Sequence, residues 1–201
     1  LSIYTWWRYW QRPSRGRWLI AAASLGLALA AKLTGVLLLP ITFALALLYL
    51  RQAARWWRPL LVWAGMLPVA ALVLWALYGF EMAGAMPMPA YLEAWSLLWR
   101  EVDVSHANYF RGHVATVGSW FYLPATLLLK TPLAQLALFL LIPLVLWWER
   151  RRWRTLVFLL LPAGFFLLVA AVSRLNFGYR HALPAVPYLM VLGALAIPRL
   201  W

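Results

Sequence analysis

The residues best equipped for chemistry are cations set in apolar surroundings. The densest group is Ser173-Arg174-Leu175-Asn176-Phe177-Gly178-Tyr179-Arg180-His181-Ala182-Leu183-Pro184, a basic island between two apolar runs. Lys32 and Lys130, the only lysines, each stand at the end of an apolar run with a threonine close behind, Thr34 and Thr131. A charge beside a bilayer is costly to bury and tends to mark a site for an ion or a charged substrate. Cations gathered on one face suit an anionic lipid headgroup, above all a phosphate or pyrophosphate. The candidate phosphate ligands are therefore Lys32, Lys130, Arg174, Arg180 and His181. Arg111 and His113 read as ordinary loop residues. For Lys32 and Lys130 the plainer alternative is snorkelling to the headgroup layer.

Carboxylates able to act as a general base are few. Glu81, Glu93, Glu101 and Asp103 all fall between Glu81 and Gly118, the one long polar stretch. Glu93, Glu101 and Asp103 lie on a predicted amphipathic helix, where a solvated polar face accounts for them. No acidic pair at motif spacing is present, and His106, His113 and His181 lack the spacing of a zinc site. A glycine-rich phosphate loop and a Ser-His-Asp order are also missing. No metal and no cofactor is expected, and the catalytic residues stay unassigned.

The elements that must position these cations are membrane spans. The chain has 201 residues, of which 66% are hydrophobic and 11% charged, against about 25% charged in soluble domains. Its net charge of +13 does not indicate nucleic acid. The arginines sit in short clusters between apolar runs (Arg8 to Arg17, Arg51 to Arg58, Arg150 to Arg154), the positive-inside pattern that orients spans. No recognition helix or aromatic RNA platform accompanies them. Of the 15 tryptophans, Trp6, Trp7, Trp10, Trp18, Trp56, Trp57, Trp147, Trp148, Trp153 and Trp201 lie near arginines and read as one interfacial belt. Cysteine is absent, which excludes disulfides and thiolate chemistry.

Spacing predicts an all-α, polytopic transmembrane bundle of about six crossings, a single membrane domain over residues 1–201. Trp18 to Leu50 as one helix would run about 50 Å, too long for a core of roughly 30 Å. Two short helices with Lys32-Leu33-Thr34-Gly35 as an outer turn fit better. Pro59 to Phe80 leads outward. Tyr91, Leu92, Trp95, Leu98, Trp99 and Val102 recur at helical spacing, which predicts an amphipathic helix on the outer surface. Trp120 to Leu129 is a short interfacial or re-entrant piece ending at Lys130-Thr131-Pro132. Leu133 to Trp148, Thr155 to Val172 and Leu183 to Pro198 are the remaining crossings. No internal repeat is visible.

Three ordered blocks resemble a known family. Leu25-Gly26-Leu27-Ala28-Leu29-Ala30-Ala31-Lys32-Leu33-Thr34-Gly35 with Leu39-Pro40 resembles a helical hairpin of polytopic GT-C glycosyltransferases, in the branch of protein O-mannosyltransferases and aminoarabinose transferases (glycosyltransferase family 39-like). His106 to Gly112, Gly118 to Pro124 and Leu129-Lys130-Thr131-Pro132-Leu133 are similar to blocks of a bacterial subgroup. Asn176 to Pro184 with Pro187 is similar to its last motif.

The resemblance implies transfer of a sugar from a polyprenyl-phosphate donor to a protein, lipid or glycan acceptor on the outer face of a bacterial plasma membrane. Membrane lipid is a further expected partner; nucleic acid is not. Lys32 matches the lysine of the hairpin motif, and Arg180 and His181 match the basic pair of the last motif. The family's acidic first-loop motif has no counterpart here and is expected upstream of Leu1, which makes the chain look like a C-terminal part that is inactive alone. A transporter or flippase of an anionic lipid-linked glycan would use the same cations without a base, and a non-catalytic membrane subunit is a third reading.

Overall fold

The computed structural model describes residues 1–49, 55–103, 108–110, 112–115, 119, 121–172 and 179–200. The fold is mostly helical, and its contacts gather into two compact units, Leu1–Asp103 and Val104–Trp201.

The first unit opens with α1 (Ser2–Gln11), which buries Ser2, Ile3, Thr5 and Trp6 on one face. Helix α2 (Arg15–Ala31) starts at Ser14, whose hydroxyl accepts the Arg17 backbone N–H and so satisfies one of the open donors of the first turn. Lys32 is extended (φ −161°, ψ 137°) and stops α2; a 3₁₀ turn, Leu33–Leu37, then leads into α3 (Leu38–Leu47). The apolar run thus breaks where its length requires. Helix α4 (Arg58–Leu77) is followed by a two-residue hairpin, β1 (Met82–Ala83) with β2 (Met86–Pro87), and by α5 (Pro89–Asp103).

Helix α2 crosses α4 at Gly26, where a Cβ would strike the Ala70 carbonyl and the Val73 side chain. Only a glycine allows that approach. Polar groups tie the same helices together. Thr42 Oγ1 accepts the Trp63 indole N–H at 3.0 Å and donates to the Leu38 carbonyl at 2.7 Å. The carbonyl of Thr42 accepts the Trp6 indole N–H at 3.2 Å. Thr42 therefore joins α1, α3 and α4. Thr5 and Ser24 pair their hydroxyls at 2.7 Å between α1 and α2. Each of these buried groups is hydrogen-bonded, as burial demands.

These bonds correct the tryptophan belt. Trp6 is 1% exposed and belongs to the core. Trp10 stacks on Tyr49 with ring centroids 4.2 Å apart, and the Trp18 indole N–H donates to the Val62 carbonyl. Indoles near arginine in sequence are here turned inward, because α1 lays its aromatic face on α2 and α3. Trp56, Trp57, Trp147 and Trp153 remain exposed.

In α5, Tyr91 is buried and Ala94, Trp95 and Leu98 are half-buried, whereas Leu92 is exposed. The Tyr91 ring meets Tyr78 edge-on at 5.7 Å, docking α5 near the end of α4.

The second unit has a hairpin, β3 (Asn108–Phe110) with β4 (His113–Ala115), turned at Gly112 with φ +85°. The two hairpins depart from the all-helical expectation. Helices α6 (Tyr122–Lys130), α7 (Leu133–Leu140) and α8 (Ile142–Trp148) follow, then a 3₁₀ turn, Arg150–Arg152, and α9 (Trp153–Val172). A second 3₁₀ turn, Tyr179–His181, precedes α10 (Val186–Ala194) and α11 (Ile197–Leu200). Helix α10 packs on α7, α8 and α9. Its core is Val145, Leu156, Leu192 and Ala196, and a second cluster joins Leu123, Ala170 and Ala182.

Among the described residues, two helices are long and apolar enough to cross a membrane: Arg58–Leu77, 20 residues with mean hydropathy 2.3, and Arg150–Val172, 23 residues with mean hydropathy 2.6. The pair Tyr122–Lys130 and Leu133–Trp148 passes together but bends by 118° at its break, so it makes a third as one broken span. Leu33–Leu47 and Val186–Leu200 are apolar but shorter, below the ~20 residues of an untilted crossing.

Candidate functional site

Each of the two lysines stands at an interruption of apolar helix. Lys32 ends α2 with an extended backbone; its carbonyl accepts the Gly35 N–H at 2.7 Å, which closes the turn. Gly35 lies so close to the Ala28 carbonyl that a side chain there would collide with the backbone. The returning chain is thereby pressed against the end of α2, and the Lys32 side chain is left exposed at the tip. The α2 carbonyls at this end lack intrahelical donors and carry the negative end of the helix dipole, so a lysine there is locally favourable.

Lys130 is the last residue of α6 and is exposed. Thr131 follows with an extended backbone and Pro132 caps α7, so the helix cannot continue across the 118° bend. Thr131 is 6% exposed, and neither its hydroxyl nor the Gln135 side-chain oxygen has a hydrogen-bond partner among the described residues.

Arg180 and His181 share the 3₁₀ turn, Arg180 exposed and His181 half-buried. Arg180 Nε donates to His181 Nε2 at 3.2 Å, an orientation that uses an unprotonated Nε2. The turn packs on α6 and α9, with Ala182 against Leu123 and Ala170. The contact of Ala182 on α6 is at Leu123, in its first turn, whereas Lys130 is its last residue. Arg174 lies outside the described residues, as do His106, Arg111 and the stretch from Ser173 to Gly178. Lys32 belongs to the other unit.

Of the acids, Glu93 is exposed on α5, the helix that also carries Glu101 and Asp103. Exposed Glu81 serves through its backbone, its carbonyl accepting the Trp75 indole N–H at 3.0 Å and the Met88 N–H at 3.1 Å. His113 is exposed on β4.

Two features were not visible in the sequence. One is the Thr42 junction, a threonine inside an apolar run. The other is a cavity of about 340 Å³ in the second unit, where Glu149 is 13% exposed and pairs with Arg199 at 2.7 Å and Arg152 at 3.6 Å. Glu149 and Arg199 are 50 residues apart, so no local pattern announces them. As chemistry, the lysine turns and the Arg180–His181 pair offer anion-binding donors. Among the described residues, no group of three histidine, cysteine or carboxylate side chains could hold a metal ion. No protein-family model, curated protein or solved structure matches the chain.

Proposed function

We propose that the chain is the donor-binding part of a multi-pass GT-C membrane glycosyltransferase, which takes a sugar from a polyprenyl phosphate and passes it to an acceptor on the outer face of a bacterial plasma membrane. The observation that carries this reading is the placement of both lysines at breaks in apolar helices, exposed and each close to a threonine. Broken helices near a bilayer free backbone groups and set charged side chains where a polar headgroup can reach them. Arg180 and His181, in a turn that packs on α6, add two more basic side chains.

Six crossings follow if α2, Leu33–Leu47, α4, α7 with α8, α9, and α10 with α11 each traverse a bilayer. Helix α5 then lies on the outer surface and α6 forms a re-entrant arm. On that topology the arginine clusters face the cytoplasm and Lys32, Lys130, Arg174, Arg180 and His181 face outward. The acceptor's base comes from outside this set of cations.

The test is binding of a polyprenyl phosphate to the detergent-solubilised chain, against the matching polyprenol. Preference for the phosphate, weakened at least tenfold in Lys32→Ala and Arg180→Ala, is the expected result. Equal binding of phosphate and alcohol by the wild type would sink the reading.

One observation favours the transporter reading instead. Both units run through a helix, a lysine break, further short helices (α3 in the first, α7 and α8 in the second), an arginine cluster and a 20-residue helix with an internal proline, Pro68 in α4 and Pro162 in α9. Interrupted segments at matching places in two halves are a transporter pattern. Movement of a lipid-linked glycan across vesicles without sugar transfer would select that reading.

A further inference from the structure

The end of the second unit opposite the Tyr179–His181 turn along α9 carries a different arrangement. Glu149-Arg150-Arg151-Arg152-Trp153-Arg154 closes α8 and opens α9, and Arg199 comes back to it from α11. Glu149 accepts from Arg199 at 2.7 Å and sits 3.6 Å from Arg152, yet those arginines are 46% and 78% exposed. Among the described residues the carboxylate engages one group of each, out of the five N–H groups of a guanidinium. In the sequence from Val104 to Trp201, Glu149 is the one acid, beside Arg150, Arg151, Arg152 and Arg154. Arg154 has a buried Nε without a hydrogen-bond partner among the described residues.

Beside this pair lies the cavity of about 340 Å³. Thr155 contributes a hydroxyl, and Leu156, Leu195 and Pro198 supply an apolar wall. Leu156 belongs to the unit's core, so the wall is continuous with the helix packing. The volume lies at the low end of small-molecule sites, roughly 300–1,000 Å³. It suits a phosphodiester and its first methylenes and is small for a glycan. In the same stretch, but apart from Arg199 not lining the cavity, Arg150, Arg199 and Arg154 lie over the rings of Trp147, Trp148 and Trp153 at 5.7, 5.6 and 5.2 Å. Indole with arginine is the side-chain chemistry of the headgroup layer.

We propose that this cavity binds the phosphate of an anionic phospholipid, with the phosphate on Arg152 and Arg199 and the adjoining methylenes on Leu156, Leu195 and Pro198. A basic pocket between helices at a membrane surface is a recurrent anionic-lipid site. The inference rests on the chain being a membrane protein and uses none of the cations assigned to the sugar donor.

The experiment is thermal unfolding of the whole chain in neutral detergent with phosphatidylglycerol, phosphatidylcholine or inorganic phosphate added. At ten times its Kd, phosphatidylglycerol should raise Tm by about 3 °C, and the other two should not. Arg152→Gln should reduce the shift, and Leu195→Phe, which fills the cavity and keeps the Glu149–Arg199 pair, should remove it. Arg150→Gln should keep it. An equal shift with phosphatidylcholine, a full shift with inorganic phosphate, or a shift surviving in both cavity variants would overturn the proposal. A phosphatidylglycerol shift that persists when polyprenyl phosphate fails to bind would leave this site standing and remove the donor reading.

Discussion

Trp6 and Thr42, 36 residues apart, are joined by an indole N–H donated to a backbone carbonyl at 3.2 Å, in a place where Trp6 is 1% exposed. The same threonine holds Trp63 through its hydroxyl. One small polar residue thus serves two large aromatic ones, and three helices meet there.

Replacing Thr42 by valine keeps the shape and removes the acceptor for Trp63. The stranded indole N–H should cost about 1–3 kcal/mol, read as a lower Tm of the purified chain. Thr42→Ser should recover most of the loss. Equal stability of wild type and Thr42→Val would show that the Trp63 bond contributes nothing.

Gly26→Ala should destabilise by about 1–3 kcal/mol, because the new methyl meets the Ala70 carbonyl and Val73 and α2 must move off α4. Gly164→Ala on α9 meets nothing within 4 Å and should be neutral or raise stability by up to about 1 kcal/mol. Chemical denaturation of the two variants side by side checks the contrast.

Lys32→Ala and Lys130→Ala remove exposed side chains and should change stability by less than about 0.5 kcal/mol. Loss of polyprenyl-phosphate binding with an unchanged melting curve is the expected pair of results. A fall in Tm matching the fall in binding would make both lysines structural.

Glu149→Gln removes the acid that pins Arg199 and Arg152. Both arginines are substantially solvated, so the loss should be modest, about 0.5–1 kcal/mol. Adding salt should weaken the wild type toward the variant and leave the variant nearly unchanged; a parallel salt response would remove the ion pair from the account.

Burial raises the Tyr9 hydroxyl above its usual pKa, and nearby Arg58 opposes the rise. Folded Tyr9 therefore keeps its proton after the unfolded chain begins to lose it near pH 10. Its contribution is present below that pH and is lost as pH climbs through the raised value. Tyr9→Phe should flatten the alkaline limb of a stability profile. An unchanged limb would assign it to other groups.

The break at Lys32 was legible because length alone forbids a single helix from Trp18 to Leu50. Lys130-Thr131-Pro132 was legible because proline cannot continue α6. Gly26 and Gly35 had a motif but no visible reason; the reason is backbone contact with Ala70 and Ala28, which only the folded chain supplies. Trp6 misled because arginine nearby in sequence suggests the headgroup layer, whereas the direction of a side chain depends on the helix it lies against. Glu149 and Arg199 gave no signal, since two exposed-looking charges far apart in sequence carry no periodicity. The strand pairs were too short to leave an alternating pattern.

The inward turn of Trp6, Trp18 and Trp63 has a spectroscopic consequence. Their indoles are hydrogen-bonded inside the first unit, whereas Trp147 and Trp153 of the second are open. Water-soluble acrylamide should quench the second group at once in detergent-free regions of the surface and reach the first only as its helices separate. Trp56 and Trp57 of the first unit, also exposed, should quench with the open group, so the intrinsic emission separates the inward-turned indoles from the open ones with no label attached.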